Sequence, residues 1–81
     1  MYQIYIDKAK SIIKVEQLNK CFQNSSIFEK IEEANGELFR YNHYYHFCTN
    51  RKKLVEHGRQ IKQQWINECK QQLEALENIK I

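Results

Sequence analysis

The chain opens on an alternation, Tyr2-Gln3-Ile4-Tyr5-Ile6. A period of two puts Tyr2, Ile4 and Ile6 on one side of an extended strand. Asp7 to Ser11 is mostly polar and turns the chain. Beyond it, Ile12, Val15, Leu18 and Phe22 recur at near-helical spacing behind Ser11, a residue suited to an N-cap. The spacing predicts a short first helix over 14–23, stopping in Gln23-Asn24-Ser25-Ser26.

Residues 27–34 and 37–49 flank Asn35-Gly36, a dipeptide that tight hairpin loops favour because both positions reach positive φ at low cost. A β-hairpin is therefore predicted there. In its second arm Phe39, Tyr41, His43, Tyr45 and Phe47 share one face, and Leu38, Arg40, Asn42, Tyr44, His46 and Cys48 the other. The first set is more apolar and is expected to face the core. From Asn50 onward the period becomes helical: Leu54, Gly58, Ile61, Trp65, Cys69, Leu73 and Leu76 fall on one side, widened by Val55 and Ile66. With Thr49 or Asn50 as cap, this predicts a helix over 50–77. At about 1.5 Å per residue it would be roughly 42 Å long, longer than a domain of this size is wide. Its end is expected to project or to pack on another chain. Asn78-Ile79-Lys80-Ile81 alternates again, which makes 79–81 a candidate edge strand.

The expected order is β-α-β-β-α with a possible final β. It is the order of the ferredoxin-like split βαβ sandwich, an α+β fold with two helices on one face of a four-stranded antiparallel sheet. The 81 residues suffice for a single small domain, 1–81, and at this size folding buries only about 60% of the unfolded surface. Hydrophobic residues are 42% of the chain, enough for one compact core and too many for a disordered segment.

That fold hosts many functions, so side chains must carry the reading further. Ile4-Tyr5-Ile6 resembles the apolar-aromatic-apolar start of the first-strand signature of the RNA-recognition motif, and Arg40, Tyr44 and Phe47 match a basic and two aromatic positions of its third-strand signature. Tyr41, Asn42 and His43 replace the glycine, the first stacking aromatic and the small residue of that pattern. The resemblance is one of surface chemistry and not of family membership. Independently of it, the strand alternation would place Tyr5, Arg40, Tyr44 and His46 on the uncovered face of adjacent strands, where rings stack bases at about 1 to 3 kcal/mol each and Asn42 adds a base-edge hydrogen bond.

The charge is uneven. Residues 1–49 hold six Lys/Arg against six Asp/Glu, and residues 50–81 hold seven against four, so the net +3 belongs to the C-terminal segment. Arg51-Lys52-Lys53 stands where a helix begins, and cations there oppose the helix dipole by about 0.3 to 1 kcal/mol each. A phosphate bound to the free N–H groups of that terminus would reverse the cost. Lys52, Arg59, Lys62 and Lys70 then border the apolar stripe as a basic row.

The late part of the same helix points elsewhere. Ile66, Cys69, Leu73 and Leu76 repeat at spacings of three, four and three, the seam of a helix pair, among the uncharged Gln63, Gln64, Gln71 and Gln72.

Metal and catalytic chemistry find less support. Cys21, Cys48 and Cys69 form no C-x-x-C pair, which points to a reducing cytoplasm and neither a disulfide framework nor a standard zinc site. On a flat strand His43 faces away from His46 and Cys48, and that pair has no acidic orienter or oxyanion glycine beside it. His57 is expected to be solvated. No apolar run resembles a signal peptide or approaches the roughly 20 residues of a membrane span. No cofactor, metal, catalytic residue or membrane is expected.

Two readings stand. In the first, a small non-catalytic binding protein contacts RNA or single-stranded DNA through Arg51, Lys52, Lys53, Arg59 and Lys62 and through the Tyr5, Arg40, Tyr44 and His46 face. In the alternative, a protein–protein interaction module, either a homodimer or a small inhibitor or adaptor of the phage or mobile-element type, acts through Ile66, Cys69, Leu73 and Leu76.

Overall fold

A computed structural model describes residues 1–23 and 26–80. Asn24 and Ser25, expected at the end of the first helix, and Ile81, expected in a terminal strand, lie outside the described residues. The elements run β1 (Tyr2–Asp7), β2 (Ile12–Gln17), α1 (Lys20–Gln23), α2 (Ser26–Glu33), β3 (Phe39–Arg40), β4 (Tyr45–Cys48) and α3 (Arg51–Glu77). The protein is mixed α+β: a four-stranded sheet of order β2-β1-β4-β3, antiparallel throughout, with a long C-terminal helix.

The observed order, β-β-α-α-β-β-α, departs from the expected β-α-β-β-α at three places. Residues 12–17 form a strand, where the spacing predicts a helix over 14–23. Ile13 and Val15 turn inward at a period of two, and Ile12, Ile13 and Val15 are β-branched, which suits a pleated surface better than a helix. The β1–β2 hairpin closes through Ser11, at φ 55°, whose N–H donates to the Lys8 carbonyl.

Residues 26–33 are helical in place of the predicted first hairpin arm. Ile27, Phe28 and Ile31 lie on one side of α2 and pack in a core, while Glu29, Lys30, Glu32 and Glu33 stay exposed. Asn35 and Gly36 do adopt positive φ, 50° and 87°, but they end a helix instead of turning a hairpin.

The predicted second arm, 37–49, folds back on itself as β3 and β4. Asn42 makes the turn: its Oδ1 accepts from the backbone N–H groups of Tyr44 and Tyr45 at 2.9 and 2.8 Å.

Helix α3 matches its expected span. Asn50 caps it, Oδ1 accepting from the Lys52 N–H at 3.0 Å. Asn78, Ile79 and Lys80 form no strand.

Both faces of the sheet are used. On one, Ile4, Ile6, Cys48 and Leu54 are buried together with Tyr2, Ile13, Val15, Ile61 and Trp65 packed against them, so α3 lies on this side. Gly58 permits the approach: a Cβ there would sit 3.0 Å from Ile4 Cδ1 and 3.1 Å from Ile13 Cγ2. On the other face Leu18, Ile31 and Phe47 form a second core with Met1, Phe22, Ile27, Phe28, Phe39 and Tyr45. The molecule measures 59 × 20 × 16 Å, elongated because α3 outruns the sheet.

Candidate functional site

Strand pairing decides which predicted site residues meet. Tyr5 pairs with Tyr45 and Ile4 with His46, while Arg40 pairs with His46 across β3 and β4. Tyr5 therefore shares a face with Tyr45, and Arg40 shares the opposite face with His46, beneath α3. The expected quartet does not sit on one open surface. Tyr5 and Tyr44 do touch, their rings stacked with centroids 6.2 Å apart, because Tyr44 lies in the turn beyond the strand end. Tyr44 is 49% exposed and available to a ligand. The Tyr5 hydroxyl donates to Asp7 Oδ2 at 2.8 Å, which raises the pKa of the tyrosine and lowers that of the carboxylate. Asn42 Oδ1 is engaged by its own turn, so a base-edge contact there would fall to the side-chain amide N–H groups.

Arg40, Tyr44 and His46 converge instead on an open groove of about 880 Å³ at the end of the sheet, shared with Asp7, Lys8, His43, Gln64 and Trp65. Arg40 Nη2 lies 3.1 Å from His43 Nδ1, and Lys8 is tied to Glu68 of α3. The groove combines cations with the rings of Tyr44, His43 and Trp65. Sequence reading missed Lys8, His43 and Trp65 because they come from three separate elements that only the folded chain brings together.

His57 is not simply solvated. It is half-buried against His46, ring centroids 4.8 Å apart, because α3 runs back along β4. His46 Nδ1 and His57 Nε2 are buried and make no hydrogen bond among the described residues. Burial lowers the pKa of both rings; for His46 the proximity of His57 and then Arg40 adds to it.

The basic residues are dispersed. Arg51 and Lys52 are exposed at the start of α3, and Lys53 reaches Glu37 at 3.1 Å, so one of the three cations has a partner that offsets its unfavourable place. The groove residue Gln64 lies 13 positions further along α3 than Arg51, roughly 20 Å away at 1.5 Å per residue. Arg59 and Lys62 border another side of α3, beside Ile13, Val15 and Val55. Among the described residues no one groove joins the triplet to the aromatic rings, while Lys62 of this row also borders Trp65.

Ile66, Cys69, Leu73 and Leu76 are brought together. From Cys69 to Lys80 every residue is exposed, because the sheet ends beneath Trp65 and Glu68. Leu73, Leu76 and Ile79 are 56, 65 and 60% exposed. A shallow apolar surface runs over Trp65, Ile66, Cys69 and Leu73, with Lys62 and Lys70 at its borders, and a second one covers Ala75, Leu76 and Ile79. Ile79 lies beside Leu76, beyond the expected four; the signal was its place three residues after Leu76, where its alternation with its neighbours suggests a strand instead.

Cys48 is fully buried, its thiol donating to the Gly36 carbonyl and accepting from the Asn50 N–H, both at 3.3 Å. It fixes the turn after α2 to the start of α3. Among the described residues no group of three or more His, Cys, Asp or Glu side chains could hold a metal, and no helix is long and apolar enough to cross a membrane. Comparisons with protein-family models, with curated proteins and with solved structures give no significant match.

Proposed function

We propose that this protein is a non-catalytic interaction module that engages a protein partner through the C-terminal half of α3. The observation that carries the proposal is the projecting stripe of Ile66, Cys69, Leu73, Leu76 and Ile79. An unsupported helical segment this short is marginal in water, and burying a leucine against a partner contributes about 1.5 to 3 kcal/mol. Engagement would both order the segment and remove apolar surface from water.

Amide hydrogen exchange tests this directly. In dilute protein the amides of 69–77 should exchange fast while those of β1 and β4 stay protected, and engagement should slow the tail selectively. Leu73→Glu with Leu76→Glu should abolish that slowing and leave the circular dichroism unchanged. Fast tail exchange at every protein concentration and in cell extract would defeat the proposal.

A second reading is favoured by the groove, which gathers Arg40, His43, Tyr44 and Trp65 at one place: contact with RNA or single-stranded DNA by stacking and phosphate pairing. It predicts retention on a single-stranded pool that weakens steeply between about 50 and 200 mM salt. Arg40→Gln with Tyr44→Ala should abolish retention, and Arg51→Gln with Lys52→Gln should weaken it less. No retention at low salt removes this reading.

A further inference from the structure

We infer that the partner of the α3 tail is a second copy of this chain, paired antiparallel; the inference rests on the reading of that tail as an interaction surface. The stripe is complementary to itself only in that direction. With Ile66 opposite Leu76 of the second copy and Cys69 opposite Leu73, each apolar position meets an apolar one, and a two-fold axis repeats both layers.

The borders agree with the layers. Side chains on a helix lean toward its N-terminus. In the antiparallel pair Lys70 and Glu77 of the second copy therefore lean toward each other, giving two symmetry-related ion pairs. On the other border Gln72 meets its own counterpart near the axis. A parallel pair would set Arg59 against Arg59 and Lys62 against Lys62, with no cross pair for Lys70. Antiparallel pairing puts Lys62 beyond the helical end of the second copy, since α3 stops at Glu77. It also opposes the two helix dipoles and keeps the globular parts at opposite ends of the pair, where the 59 Å length of the chain leaves room for the overlap.

Four layers form a small interface, below the roughly 1,200 Å² of a standard one, so the dimer is expected to be weak, with dissociation on the order of 10 to 100 µM. Sedimentation equilibrium of the full chain from about 5 to 500 µM should show the mass rising from 9.9 kDa toward twice that value. Leu73→Glu should hold it at the monomer mass. Lys70→Glu or Glu77→Lys alone should weaken dimerisation several-fold, and the two together should restore it.

Direction is read by oxidation. In a Cys21→Ser, Cys69→Ser background, Gln72→Cys should form a disulfide-linked dimer rapidly, whereas Cys69 in a Cys21→Ser background should crosslink slowly. Faster crosslinking through Cys69 would mean a parallel pair and overturn the inference. A monomer at every concentration would also overturn it. If that monomer still loses a partner's protection of 69–77 on Leu73→Glu, the interaction reading survives without self-pairing; if the tail is never protected, both fail.

Discussion

His46 and His57 show how far a residue's behaviour depends on what the fold sets beside it. Arg40, His43, Asp7 and Lys8 line the groove next to His46, and Glu37, Lys53 and Glu56 surround His57. Both imidazoles have pKa values below the usual 6.5, so the unfolded chain takes up protons first as the pH falls. Their contribution to stability is complete above about pH 6.5 and is lost as the pH drops through the folded-state values. The melting temperature should therefore fall from pH 7.5 to 5, and replacing both residues with Gln should flatten that part of the profile. Asp7, whose pKa is lowered from 3.8, adds a separate loss below that value. Gly58 is a second residue-scale test. Its missing side chain lets α3 reach Ile4 and Ile13, so Gly58→Leu should cost about 2 to 3 kcal/mol by urea denaturation, more than helix propensity returns. Neither feature is visible in the local sequence: His46 and His57 are eleven residues apart, and the glycine looks like a weak point in a helix until the strand beneath it is known.

At the scale of elements, the faces are more legible in the sequence than the strands. Phe39, Tyr45 and Phe47 do turn toward one core and Arg40 and His46 the other way, although the alternation predicts a single arm and a hairpin is found. The reason is arithmetic. Phe39 pairs with Phe47 and Arg40 with His46, about a turn centred on His43, so folding back preserves odd and even positions. Residues 12–17 and 26–33 escape a reading by period because each carries a short apolar pattern that fits either one, and the φ angles that make Asn35-Gly36 a hairpin signal serve a helix end equally well. Gly36, at φ 87° with open space where a Cβ would stand, should lose about 1 kcal/mol on change to Ala from backbone strain alone. Thermal melts of that variant check it. Asn50→Ala should cost about as much by removing the cap of α3, the element whose length and periodicity make its span legible.

At the scale of the molecule, two cores share one four-stranded sheet, and the tail of α3 belongs to neither. Deleting residues 70–81 should change monomer stability by less than about 0.5 kcal/mol while removing any concentration dependence from the melting temperature. The length of α3 is legible, since its apolar period runs from Leu54 to Leu76. The groove is legible in Arg40, Tyr44 and His46 but not in Lys8, Gln64 and Trp65, which the β1–β2 turn and the middle of α3 bring to it. The sheet also has an implication for how the chain assembles. The β1–β2 hairpin is local, but the other edge of β1 is satisfied only when Tyr2 meets Cys48. During synthesis, β1 would wait with one open edge until β4 has left the ribosome, so closure of that long loop is the expected late step. A shortened Phe47 side chain should then slow refolding if closure sets the barrier, and should chiefly hasten unfolding if it does not.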